Sequence, residues 1–238
     1  MSIFPHVDQA DEYGILAVSE SLHPELVKEA YFCGVFPWPH PEWEFIPWFA
    51  PNPRAIIPIE HIHISRRMKR ILRQKKFVFK INTCFSEVIE ACSKSNNRKS
   101  RNKNHENDSN QSWITTEMKE IYTKLNNEGL CHSVEAFLDN ELAGGLYGVC
   151  IGNFFSAESM FYKTSNASKA ALYMLAAYLK KNGGTFIDCQ DLNPHTESLG
   201  GVSVSRQEFM RLHTEAKNNP PLPWQMGELE PELFEIIL

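Results

Sequence analysis

Glu158, Asp188 and Gln190 are the side chains of this sequence whose types and spacing can do chemistry. Two carboxylates and an amide can hold a cationic group, orient it and pass on a proton, provided the fold brings them together. Strand side chains alternate, so over Phe154–Phe161 the residues Phe154, Ser156, Glu158 and Met160 are expected on one face. Phe155, Ala157, Ser159 and Phe161 are expected on the other. The same rule over Thr185–Gln190 sets Phe186, Asp188 and Gln190 against Ile187 and Cys189. The three polar groups are thus candidates to converge beside an apolar wall. Alone they do not define a reaction, since polar residues at strand ends are more often satisfied hydrogen-bonders than catalysts. Cys189, with His195 nearby in sequence, suggests a nucleophile, but alternation points it away from Asp188 and Gln190, and a packing role is expected.

The elements that must position these residues are readable. Gly152-Asn153 and Asp139-Asn140 are tight-turn dipeptides, each between two strand-like runs. A helix follows Ser165 or Asn166 and ends at Gly183-Gly184, with Leu172, Leu175, Ala176 and Leu179 on one apolar stripe. Upstream, a helix is expected over His23–Cys33, ended by Gly34, and Val35–Pro39 breaks regular structure. Trp43 and Trp48 are expected to form a small aromatic core there. Ile56–Ile59 and Phe77–Ile81 read as strands. Ser65 caps a helix packed through Met68, Ile71 and Leu72, and Thr115 or Thr116 caps one packed through Met118, Ile121, Tyr122 and Leu125. Ser205-x-x-Glu208 matches a capping box. The tail is expected to pack back through Trp224. His61-x-His63 lacks a third ligand at convincing spacing, so no metal is expected.

The ordered strings GGLYGV, ESMF, NASK, IDCQ and SLGG, with ILAVSESLHPELVKEAYFCGVFPWP, WFAPNPR, HISRRMKR and SWIT before them, resemble the leucyl/phenylalanyl-tRNA–protein transferases. The resemblance runs from about Tyr13 to Leu212, and five motifs in one order are specific where each alone is weak. It implies an α+β fold: a GNAT-like acyltransferase domain with a mixed sheet (63–238) preceded by a smaller N-terminal α/β domain (1–62). It also implies transfer of Leu or Phe, and Met, from aminoacyl-tRNA to the α-amine of proteins beginning with Arg or Lys, marking them for N-degron proteolysis. Asp188 and Gln190 match the acid and amide of IDCQ, implying that Asp188 orients and polarises Gln190 while Gln190 positions the amine. Glu158 matches the ESMF glutamate and suits a cationic acceptor. Leu146, Phe155, Leu172 and Ile187 match positions lining an acyl side-chain pocket. Trp38, and with it Trp113, is implied as a platform for the terminal aminoacyl-adenosine, a use suited to base stacking. Asn193 is a further polar candidate. Asp188→Asn is then expected to abolish transfer with fold and tRNA binding retained.

Charge fits one defined polyanionic contact. The chain carries −5 overall, yet Arg66, Arg67, Lys69, Arg70, Arg73, Lys75 and Lys76 form a run without an acid. Such a patch on an acidic protein suits one defined polyanionic contact better than general coating of nucleic acid, and the resemblance implies that this contact is the tRNA acceptor end. The six cysteines form no C-x-x-C pair, and free thiols in a reducing cytoplasm are expected. No apolar run approaches the ~20 residues of a membrane span. Residues 93–111 lack large apolar side chains and read as a polar insertion. No cofactor is expected, because an aminoacyl ester is already activated, and a monomer is expected. Where the family usually has GGDLSP, WWSPDPR and GESMF, this chain has SESLHP, WFAPNPR and AESMF; Ala157 adds a methyl beside the site. The rivals are a related transferase with another donor or acceptor, an RNA- or protein-binding module without catalysis, and an acyl-CoA-dependent N-acetyltransferase. The sequence lacks the R/Q-x-x-G-x-G/A pyrophosphate loop usual for the last.

Overall fold

In the computed structural model, residues 2–40, 42–95 and 112–238 are described. The N-terminal part builds its own small sheet: β1 (Ile15–Ser19), helix α1 (Pro24–Phe32), β2 (Phe36–Pro37) and β3 (Ile46–Phe49), in the order β1-β3-β2. Pro24 opens α1, where an N–H is unpaired anyway, and Gly34 at φ +77° ends it, as expected. Trp48 is buried and donates its indole N–H to Ser19 Oγ at 2.9 Å. Trp43, expected in the same aromatic core, is instead 45% exposed, stacking on Phe45 and His40. The glutamates on either side of it, Glu42 and Glu44, hold that segment at the surface.

From Arg54 onward the strands join one larger sheet. They are β4 (Arg54–Pro58), helix α2 (Arg66–Arg73), β5 (Val78–Ile81), helices α3 (Phe85–Ser95) and α4 (Thr116–Asn127), then β6 (Cys131–Leu138), β7 (Glu141–Ile151) and β8 (Phe154–Tyr162). Helix α5 (Ala167–Lys181), β9 (Phe186–Gln190), the short α6 (Pro194–Glu197), β10 (Val202–Val204), α7 (Arg206–Lys217) and β11 (Gly227–Glu228) complete it. The strand order is β10-β4-β9-β8-β7-β6-β5-β11; β8 and β9 run parallel, and the other adjacent pairs run antiparallel. The fold is therefore α+β with a mixed sheet. The two expected hairpins are present: Asp139 (φ 51°) and Asn140 (φ 67°) join β6 to β7, and Gly152 (φ 55°) and Asn153 join β7 to β8. Positive φ at the turn is why Asn, Asp and Gly serve there.

Apolar residues pack on both faces of this sheet. One layer holds α1, α3, α4 and α7; the other holds α2, α5 and the C-terminal turn around Leu233 and Phe234. Helix α5 departs from the single stripe expected of it: from Ala167 to Leu179 only Lys169 escapes burial. The tail explains this, since its C-terminal turn packs on α5 in addition to the sheet, and Trp224 stacks flat on His132 at 4.1 Å while touching Tyr178 and Phe155. Ser65 and Thr115 cap α2 and α4 as expected. At α7 only half of the expected capping box forms: Ser205 accepts from Glu208 N–H, but the Glu208 carboxylate turns to Arg211 at 2.8 Å. The polar insertion lies outside the described residues from 96 onward; Ser93–Ser95 close α3.

Candidate active site

The site lies where the two parallel strands part. β8 and β9 pair at Phe155–Ile187 and Ser156–Asp188, and just beyond that level each carries one extra residue. In β8 the register with β7 slips between Tyr147–Ser159 and Gly148–Ala157, so Glu158 is bulged. In β9 the register with β4 slips between Ala55–Gln190 and Ile56–Asp188, so Cys189 is bulged, and Gln190 sits at φ +59°. A bulge bends its strand and re-aims the side chains beyond it. Strand β7 tolerates the bend through Gly148, where a Cβ would fall 2.1 Å from the Ser156 carbonyl oxygen.

These bulges correct the simple alternation. Phe155 and Ala157 pack on the α5 side as expected, but Met160 joins them, while Phe161 crosses to the layer of Phe154. Cys189 is corrected too. Rather than pointing away from Gln190, it lines the same cavities. Burial drives its thiol far above the ordinary range and keeps it protonated, so it is no nucleophile.

Each polar side chain has a defined partner. Asp188 is buried and bound by Arg54 through two parallel bonds, Nε at 2.8 Å and Nη2 at 2.7 Å. It also accepts from Ser156 Oγ at 3.0 Å and from the Gln190 backbone N–H at 3.0 Å. Arg54 lies between the rings of Phe36 and Phe209, 4.4 and 4.6 Å from their centroids. The Gln190 amide donates to Glu158 Oε1 at 3.1 Å and reaches Ser156 Oγ at 3.4 Å. Asp188 therefore grips the backbone of Gln190, and the Gln190 side chain turns to Glu158. Burial pushes the Glu158 carboxyl up to about 8; the Tyr31 hydroxyl pulls it down, the Asp188 charge pushes it up, and Arg54 and Gln190 pull it down. Tyr31 is itself hydrogen-bonded to Tyr122 at 2.6 Å, both buried.

Two cavities meet at this point and share Glu158, Cys189, Gln190 and Asn193. One, of about 190 Å³, is walled by Ile57, Leu146, Met160, Leu172 and Leu199. The other, of about 240 Å³, is walled by Phe36, Trp38 and Trp113 and carries Asp191. Of the four residues expected around an acyl side chain, Leu146 and Leu172 line the apolar cavity. Phe155 and Ile187 are fully buried against each other behind its wall. Trp38 and Trp113 both line the aromatic cavity. Asn193 is at the junction, with its amide oxygen committed: it caps α6 by accepting from His195 and Thr196 N–H at 3.0 and 3.1 Å, and Thr196 reciprocates.

The basic run forms α2 and the turn after it. Arg66, Arg67, Arg70, Arg73 and Lys76 are exposed, Lys69 is half-buried, and Lys75 pairs with Glu232. Just before α2, the His63 N–H donates to the Leu199 carbonyl at 2.9 Å, and Leu199 lines the apolar cavity. The basic helix thus starts beside that cavity. Sequence reading leaves the role of Arg54 open, as equally structural, and gives Ser156 and Tyr31 no role in the site. A signal existed for Arg54: a lone cation heading the buried apolar strand Ala55-Ile56-Ile57 requires a buried anion.

Comparison with known proteins follows the same line. The sequence profile of the leucyl/phenylalanyl-tRNA protein transferases matches residues 56–214. A Flavobacterium johnsoniae protein named leucyl/phenylalanyl-tRNA–protein transferase is 44% identical over 209 residues, 88% of this chain and 94% of its own length. One of the same name from Idiomarina loihiensis is 44% identical over 218 residues, 91% and 88% of the two chains. The solved structure of L-PGS from Bacillus licheniformis aligns with a TM-score of 0.40 at 12% identity over 58% of this chain and 44% of that one, too remote to bear on the argument. The matching profile and relatives define an aminoacyltransferase. The chain belongs to the leucyl/phenylalanyl-tRNA–protein transferase family. Among the described residues, no helix is long and apolar enough to cross a membrane.

Proposed function

We propose that this enzyme moves Leu, Phe or Met from the 3′ end of aminoacyl-tRNA to the α-amine of proteins beginning with Arg or Lys, tagging them for N-degron proteolysis. The observation that carries the reading is the junction of the two cavities at Glu158 and Gln190. The acyl side chain enters the Leu146–Leu172 cavity, the terminal adenosine lies against Trp38 and Trp113, and the ester carbonyl falls at the junction. The exposed arginines of α2 take the acceptor-stem phosphates. A GNAT-like use of the sheet is consistent with the cleft opening where two parallel strands separate.

The chemistry needs no covalent intermediate. The neutral α-amine attacks the ester carbonyl, the peptide C–N bond forms, the C–O bond to the ribose breaks, and the amine's proton is finally balanced by the ribose hydroxyl that leaves. A free α-amine has a pKa of about 7.7–8.0. Glu158, raised to about 8, is matched to it, so proton transfer between them costs little. The Gln190 amide N–H groups hold Glu158, leaving its carbonyl to receive the amine. Asp188 acts through Gln190, and is a positioning residue. One methylene in an apolar cavity is worth ~1–3 kcal/mol, so Leu, Phe and Met are poorly separated while polar side chains are rejected.

A panel of Leu-, Phe-, Met- and Arg-charged tRNA against peptides beginning with Arg, Lys, Asp or Glu tests this. Transfer from the first three onto Arg and Lys peptides is expected. Preference for Arg-charged tRNA, or for Asp and Glu peptides, would replace this assignment by another donor or acceptor.

A further inference from the structure

The aromatic cavity carries a carboxylate that the reaction just described does not use. Asp191 is exposed, lines that cavity with Trp38, and has no ion-pair partner among the described residues. Its place is set by the β9 bulge. After Gln190 turns to positive φ, the Asp191 N–H bonds back to the Cys189 carbonyl at 2.6 Å, carrying the chain out of the sheet. We infer that Asp191 receives the cationic side chain of the acceptor's first residue while that residue's α-amine sits at Glu158 and Gln190. This rests on the Arg/Lys acceptor reading given above.

Elimination supports the assignment. Among the carboxylates at the ends of β8 and β9, Asp188 is wholly engaged by Arg54, Ser156 and the Gln190 backbone, and has no oxygen to offer a ligand. Glu158 is half-buried, held by Gln190, and protonated through much of the neutral range, so it is a poor counter-ion for a permanent guanidinium. Asp191 is accessible and uncommitted. Gln190 and Asp191 are consecutive and line the same cavity, so one acceptor residue can present its α-amine to Gln190 and its side chain to Asp191. A carboxylate beside the junction attracts a cationic peptide terminus and repels further tRNA phosphate.

The test uses the full-length enzyme, Phe-charged tRNA and three peptides that differ only in their first residue: Arg, Lys or norleucine. Wild type is expected to favour Arg and Lys. Asp191→Asn is expected to lose about tenfold in kcat/KM for those two, mainly through KM, with norleucine unchanged and the melting temperature retained. Asp191→Lys is expected to raise use of a peptide beginning with Glu. Equal losses on all three peptides would overturn the inference and move Asp191 to the ribose of the donor; no loss on any would also overturn it. If wild type itself uses norleucine as well as Arg, the acceptor reading fails first, and this inference with it.

Discussion

Glu158→Gln is expected to lower kcat/KM for aminoacyl transfer by about 10²–10⁴-fold, the usual contribution of a general base. The pH profile distinguishes this from simple damage. Burial raises Glu158 to about 8, so the carboxylate that can take a proton accumulates only above that pH. The acceptor amine must also be neutral to attack. Below about pH 7 two deprotonations therefore limit wild type, and log kcat/KM climbs with a slope near 2, against about 1 in the Gln variant. Stability moves the opposite way. A carboxyl whose folded pKa lies above its unfolded value near 4.3 favours the folded state fully below that value, and loses this contribution as pH rises through about 8. Glu158→Gln is accordingly expected to melt higher than wild type at pH 8. A variant that melts lower and keeps a slope near 2 would remove Glu158 as the base.

The buried ion pair gives the second large effect. Arg54→Met strands the Asp188 carboxylate, and Asp188→Asn strands the guanidinium, so each single change is expected to cost about 3–5 kcal/mol in denaturant unfolding. This revises the expectation from sequence that Asp188→Asn leaves the fold intact: Asp188 is half of a buried pair as well as an anchor for Gln190. The double variant Arg54→Met/Asp188→Asn is expected to regain most of the lost stability, since no charge is left unpaired. Transfer is expected to stay about 10²-fold low in Asp188→Asn and in the double, because in both Gln190 has lost the carboxylate that fixes its backbone. Recovery of transfer in the double would reduce the pair to a purely structural role.

What the sequence made legible was local. Gly152-Asn153 and Asp139-Asn140 mark their turns because few residues accept positive φ. Ser65 and Thr115 cap their helices within three residues of the N–H groups they bind. Glu158, Asp188 and Gln190 were found together because two strands end side by side, and the family motifs pointed to the same ends. The missed features depend on distant partners. The bulges at Glu158 and Cys189 arise from register with β7 and β4, and no glycine or proline in β8 or β9 announces them. Arg54 and Asp188 are 134 residues apart, so neither reveals the other. Phe155 and Ile187 alternate correctly for a wall, but strand parity does not say whether a side chain forms the surface or backs it. The burial of α5 on nearly every side depends on a tail that returns from beyond Pro220, information its own heptads do not contain.

A crystal structure with a non-hydrolysable aminoacyl-adenosine, phenylalanine joined to the 3′ position through an amide, tests the division of labour between the two cavities most directly. The phenyl ring is predicted in the space between Leu146 and Leu172, the adenine against Trp38 and Trp113, and the linking carbonyl beside Gln190 and Glu158. An occupied site elsewhere on the molecule, or a phenyl ring in the aromatic cavity with the adenine outside both, would contradict the account.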